Sequence, residues 1–277
     1  MPVQLPVSLS EATHLLASTP GAQLLTGGTD FMVEVNFNHR HPEHVIALRK
    51  VEELRQWNIN TERSSVFIGS AVPYAQMEKG ELASIVPALA QAARTVGSPQ
   101  IRAAGTLGGN LGTCSPAGDS LPVLSALNAT VHLVSQDGER VIPFHEFMVG
   151  PKRTSRQANE IISGVTIPLN TEWQGYSKVG VRNAMVISVA SVCLAIREGS
   201  VAVALGSVGP TILRCPDAEQ WFNTQNIRQL DDATAVEFGQ RVSREAKPID
   251  DHRSTAEYRQ HAVGVLATRL LQRGFAS

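Results

Sequence analysis

Two glycine-bearing segments carry the groups best suited to hold a charged ligand. The first is Leu24-Leu25-Thr26-Gly27-Gly28-Thr29-Asp30, an apolar run that ends in two glycines, a hydroxyl and a carboxylate. Glycine lets backbone N–H groups come close to a ligand, and successive N–H groups form an anion-binding nest. A helix opening at Thr29-Asp30 would add a field that favours phosphate. The alternative is a tight turn with Thr29 or Asp30 as N-cap. The second segment is Gly105-Thr106-Leu107-Gly108-Gly109-Asn110-Leu111-Gly112, with four glycines in eight residues. Such a run is costly in chain entropy unless the backbone needs unusual angles or close approach. Thr106 and Asn110 add polar groups suited to phosphate or ribose oxygens. Asp119 follows in Ser115-Pro116-Ala117-Gly118-Asp119. It could accept hydrogen bonds from ribose or adenine, or cap the turn before Leu121. Two such segments, each after an apolar stretch, favour a bound diphosphate ligand.

Other chemistries lack their signatures. There is no GxGxxG, so a standard dinucleotide fingerprint is missing. Gly175 and Gly180 have P-loop spacing, but Val181-Arg182 follows where Lys-Ser/Thr is needed. There is no GxSxG, and His145-Glu146 is not completed to HExxH. His39, His41 and His44 cluster in a polar stretch without metal-ligand spacing. Cys114, Cys193 and Cys215 form no CxxC pair, and an iron–sulfur cluster takes roughly four cysteine thiolates. Over 277 residues the chain is 43% hydrophobic and 18% charged, enough to bury a sizeable core. Its net charge of −1 argues against a general nucleic-acid binder. The best apolar run, residues 185–196, contains two serines and falls short of the roughly 18 apolar residues of a membrane span. Met1-Pro2-Val3-Gln4 shows no secretory signal, so a reducing cytoplasm is the expected compartment.

The elements that must position these segments follow from periodicity. Residues 8–18 read as a helix with capping-box spacing at Ser8 and Glu11 and with Leu9, Ala12, Leu15 and Leu16 on one face. Residues 22–25, 45–48 and 66–70 read as short strands. Residues 84–96 read as one helix, residues 99–110 as a glycine-rich break, and residues 122–127 as a turn or two of helix. Residues 131–134 and 140–142 flank Asp137-Gly138, a hairpin signal. Residues 160–167 are a strand stopped by Pro168. The chain turns polar at 170–175, which places a boundary there. Residues 176–181, 191–197 and 201–208 then fit a sheet. Residues 217–222, 231–246 and 255–272 fit helices, the last with a stripe of Tyr258, Ala262, Val265, Leu266 and Leu270. The expected class is α+β in two unlike parts.

These residues together resemble a known family. Gly27-Gly28-Thr29-Asp30, Gln100-Ile101-Arg102, Thr106-Leu107-Gly108-Gly109-Asn110 and Ser115-Pro116-Ala117-Gly118-Asp119 are similar to the FAD-binding medium subunits of molybdenum hydroxylases. That family includes carbon monoxide dehydrogenase medium subunits and the xanthine dehydrogenase FAD-binding subunit. The resemblance runs on through residues 176–185 and ends in Asp251-His252-Arg253 and Glu257-Tyr258-Arg259, so it covers essentially the whole chain. It implies a two-subdomain FAD-binding fold of the vanillyl-alcohol oxidase type over residues 1–170, split near 55. A smaller α+β domain would follow over 171–277. It also implies non-covalent FAD held by Leu24, Thr26, Gly27, Gly28, Thr29, Asp30 and Phe31 in a first clamp. Gly105, Thr106, Gly109, Asn110 and Gly112 would form the second. Asp119 would contact ribose or adenine, Ile162 would pack on the flavin side, and Val96 and Lys178 would complete the contacts. The implied partners are a molybdopterin-containing large subunit and a small subunit with [2Fe–2S] clusters. An acceptor such as NAD would take the electrons. Many relatives read Met-Asp-Ile where this chain has Met185-Val186-Ile187, and xanthine dehydrogenases have a lysine near the position of Val189, so the resemblance leaves flavin contacts from that segment open.

Overall fold

The computed structural model describes residues 2–225, 227 and 229–276. Met1, which opens the segment read for a leader, lies outside them. The first sheet is small and parallel. Val45–Ala47 is central, flanked by Val3–Gln4 and Gln23–Leu25. Helix Leu9–Ser18 lays Ala12 and Leu16 against Ile46, Leu48, Val51 and Leu54. Ser8 Oγ accepts the Glu11 N–H at 3.2 Å. The Glu11 carboxylate reaches back to the Val7 N–H, one residue before the usual capping-box partner.

The second sheet is antiparallel, in the order Trp57–Asn60, Ser65–Gly69, Ile161–Pro168, Thr130–Ser135, Gly138–Pro143. In its hairpin Ser135 pairs with Gly138, so the loop is Gln136-Asp137 and Gly138 takes a φ of 146°. Helices pack on this sheet over one large core that includes Val66, Ile68, Leu89, Leu107, Leu111 and Val165.

Two expectations fail on the helices. Residues 84–96 are not one helix but the end of Gly80–Ile85 followed by Pro87–Thr95. Pro87 can open a helix but cannot continue one, because it lacks an N–H and its ring collides with the preceding turn. Residues 99–110 are not a break. They hold helix Pro99–Ala104 and the start of Leu107–Thr113, with Ser98 and Thr106 hydroxyls accepting the Ile101 and Gly109 N–H groups. Side-chain caps here outweigh the low helix propensity of glycine.

The third sheet runs Trp173–Val179, Ala190–Arg197, Ser200–Gly206, Leu213–Arg214, all antiparallel. Helices Pro216–Asn223, Asp232–Glu245 and Ala256–Phe275 cover one face. Its other face joins the large core through Tyr176, Cys193, Ala195 and Ala204. Gln91 Oε1 accepts the Tyr176 N–H at 2.7 Å across that junction. The stripe on the last helix is rotated from the expected one. Ala262 and Leu270 are buried and Val265 and Leu266 half-buried, but Tyr258 is exposed and Arg259 takes the buried place. The Arg259 guanidinium can be buried because Val189 O, Ser207 O and Asp251 all accept from it. Among the described residues no helix is long and apolar enough to cross a membrane.

Candidate functional site

Both glycine segments face one open cleft of about 780 Å³. Every residue singled out for the ligand lines it except Lys178. The first segment arrives on strand Gln23–Leu25 and leaves on helix Phe31–Asn36. Gly28 adopts φ +74°, which side-chain-bearing residues rarely take. A Cβ on Gly27 would overlap the Ala104 carbonyl oxygen, so only glycine lets this turn sit against helix Pro99–Ala104. Asp30 holds the N-cap position but its side chain caps nothing. Its Oδ2 instead accepts from Thr113 Oγ1 at 3.1 Å, tying the first segment to the end of the second. The N–H groups of Gly27, Gly28, Thr29 and Asp30 have no acceptor among the described residues.

The second segment is built otherwise. The Leu107 N–H donates to Val72 O, the Gly108 N–H to Ser70 O, the Gly109 N–H to Thr106 Oγ1 and the Asn110 N–H to Thr106 O. No row of free N–H groups opens this helix, because its first turn is capped by its neighbours. Asn110 Oδ1 accepts from Ser120 Oγ at 2.6 Å. A Cβ on Gly108 would overlap Ser70, whereas one on Gly112 would meet nothing within 4 Å.

Asp119 does not cap the following helix. It is buried, and its carboxylate accepts from Tyr176 OH at 2.9 Å, Lys178 Nζ at 2.6 Å and Thr95 Oγ1 at 3.2 Å. Burial raises its pKa, and the Lys178 charge opposes that shift. Lys178 stands behind Asp119 rather than on the cleft wall. It also donates to Thr95 O and Val186 O.

The cleft wall also contains Ser70, Tyr74, Arg40 and Arg156, which sequence patterns did not mark, and the run Met185-Val186-Ile187, where this chain departs from its relatives. Ser70 Oγ is buried without a partner. Met185 and Ile187 are exposed at the cleft mouth. Ser70, Tyr74 and Arg156 could not be found from local spacing, since each reaches the cleft from an element far along the chain from the glycine segments. Among the described residues no group of three His, Cys, Asp or Glu side chains could hold a metal. The three cysteines are free and buried, and burial pushes the Cys114 thiol up to about 12.

The comparisons with known proteins agree along the chain. The family model described as FAD binding domain in molybdopterin dehydrogenase matches residues 1–170. The CO dehydrogenase flavoprotein C-terminal domain matches residues 176–273. The nicotine 6-hydroxylase medium subunit of Paenarthrobacter nicotinovorans is 31% identical over 275 residues, covering 96% of this chain and 94% of that one. The glyceraldehyde dehydrogenase medium chain of Sulfolobus acidocaldarius is 29% identical over 270 residues, with 95% and 94% covered. A solved structure of carbon monoxide dehydrogenase from Hydrogenophaga pseudoflava superposes with a TM-score of 0.91 at 25% identity, covering 100% of this chain and 97% of that one. The fold is thus α+β in the arrangement of that flavoprotein. This chain belongs to the FAD-binding family of the molybdopterin dehydrogenases, the flavoprotein subunits of molybdenum hydroxylases.

Proposed function

We infer that this chain is the electron-transfer subunit of a molybdenum hydroxylase, taking electrons from [2Fe–2S] clusters on a partner and passing them to an acceptor such as NAD. The observation that carries this reading is the row of four unpaired N–H groups at Gly27–Asp30 on the cleft. A diphosphate supplies the acceptors these groups lack. The partnerless Ser70 hydroxyl adds a donor on the same wall. The residues present therefore fit FAD, with Gly27, Gly28, Thr29 and Asp30 as the main clamp. Thr106, Gly109 and Asn110 shape the opposite side, and Ile162 adds apolar wall. When bound, FAD supplies reversible electron exchange with donor and acceptor. This chain's residues supply position and access, and no side chain is needed to move a proton.

Attachment is non-covalent in this reading. Of His, Cys and Tyr among the described residues, only Tyr74 lines the cleft, and burial raises its pKa so that the phenol keeps its proton. The chain divides into residues 1–170, split near 55, and residues 171–277. The electron source has to be another chain, because three buried cysteines cannot hold even one cluster. A molybdopterin-bearing large subunit would carry the substrate pocket. Three unpaired cysteines suit a cytoplasmic location.

Co-expression with neighbouring genes followed by size-exclusion chromatography tests this. The expected result is a complex that contains flavin, iron–sulfur and molybdenum chains. A chain that stays alone beside those partners and turns over an organic donor by itself would instead be a self-sufficient flavin oxidoreductase.

A further inference from the structure

The cleft has two basic side chains on its wall, Arg40 and Arg156. Arg40 is already engaged: it pairs with Glu34 at 2.6 Å, a carboxylate it shares with Lys152, and lies 4.8 Å over the Phe31 ring. Arg156 has no such partner. Its Nη1 donates to the carbonyl oxygens of Gln157 at 2.9 Å and Glu160 at 2.6 Å, which fixes the guanidinium in place. The neighbouring Glu160 carboxylate is already engaged by Arg140 through both oxygens, and also accepts the Gln157 N–H at 2.6 Å. Among the described residues Arg156 Nε and Nη2 make no hydrogen bond, although the side chain is half-buried. Burial disfavours its charge, with only through-space help from Glu160, yet an arginine stays protonated. A half-buried, fixed cation whose spare donors open on a binding cleft is placed to meet an anionic ligand.

The acidic groups on the wall do not supply that partner. Asp119 is neutralised by Lys178, and Asp30 is turned to Thr113. The clamp at Gly27–Asp30 offers N–H dipoles but no positive charge to a ligand that carries a dianionic diphosphate.

We propose that Arg156 is a ligand-contacting residue of this cleft, with Nε and Nη2 donating to an acceptor of bound FAD and its charge offsetting that of the diphosphate. The proposal rests on the FAD reading above and adds a residue that the glycine segments do not reveal. The alternative role is purely structural, in which Arg156 only pins the 157–160 turn.

The test uses the full chain freed of flavin. FAD affinity is measured by flavin fluorescence at low and moderate salt for wild type, Arg156→Lys and Arg156→Gln, alongside the melting temperature of each apo form. Arg156→Gln should weaken FAD binding roughly ten- to a hundredfold, the range set by losing a hydrogen bond to a charged group. It should also flatten the salt dependence, because the exposed end of the charge is gone. Arg156→Lys should keep the salt dependence and recover part of the affinity. An affinity within twofold of wild type for Arg156→Gln, with unchanged salt dependence and a lower apo melting temperature, would overturn the proposal in favour of the structural role. If Arg156→Gln does not fold, Arg156→Lys decides: weaker binding supports the contact, and unchanged binding overturns it. A wild-type chain that binds no FAD would instead sink the functional reading itself.

Discussion

The two glycine segments look alike in sequence and act differently in the structure. Residues 26–31 turn between a strand and a short helix and leave four N–H groups without partners. Residues 105–112 lead into the helix Leu107–Thr113, whose first N–H groups are all engaged by Val72, Ser70 and Thr106. In the first segment glycine serves a positive φ at Gly28 and a close approach at Gly27. In the second, Gly108 serves packing against Ser70, while Gly112 faces open space. A glycine-rich run therefore marks where backbone must come close. Whether it comes close to the ligand or to the rest of the protein is decided by the hydrogen-bond partners.

Breaking the support behind the second segment should have the largest effect. Lys178→Met leaves Asp119 buried without its countercharge, with only the Tyr176 and Thr95 hydroxyls to hold it, which should cost about 3–5 kcal/mol of stability. The pH dependence has a fixed sign. A carboxyl whose folded pKa is raised binds more protons folded than unfolded, so its contribution worsens as pH rises above the ordinary carboxylate range. The melting deficit of Lys178→Met should therefore shrink on acidification toward that range. A deficit that is constant with pH would mean Asp119 is not the source.

Gly27→Ala comes next. Its Cβ would collide with backbone at Ala104, and overpacking of this kind costs about 1–3 kcal/mol. Flavin content and melting temperature should fall together. Gly109→Val should separate them: the nearest protein atom to the new Cβ is Thr106 Oγ1 at 3.2 Å, so the fold should persist while flavin is lost from the narrowed cleft. Retained flavin in that variant would remove Gly109 from the cofactor wall. Thr106→Ala should have the smallest effect, about 1 kcal/mol, as the loss of an N-cap. Melting curves of the apo chain would measure it.

Much of the site was legible because glycine, threonine and asparagine at close spacing have few other uses. Thr26–Phe31 and Gly105–Gly112 do meet across one cleft. Their secondary structure was less legible. The helix Leu107–Thr113 is hidden by three glycines whose low propensity is outweighed by the Thr106 cap. Lys178 carries a charge in a marked motif, but only the packed structure turns it toward Asp119 and away from the cleft. Arg156 and Ser70 reach the cleft from separate elements, so no local pattern announces them. The two-residue strand Val3–Gln4 is likewise fixed by its partner Val45–Ala47 and not by its own sequence.

The claim that this chain carries FAD in the cleft without a covalent bond is tested most directly by its colour. The absorbance of the purified full chain is recorded, and the protein is then precipitated with acid. The expected result is flavin bands in the native protein, with all of the yellow released into the supernatant as FAD. A colourless native protein under conditions where it is folded, or flavin left in the pellet, would contradict it.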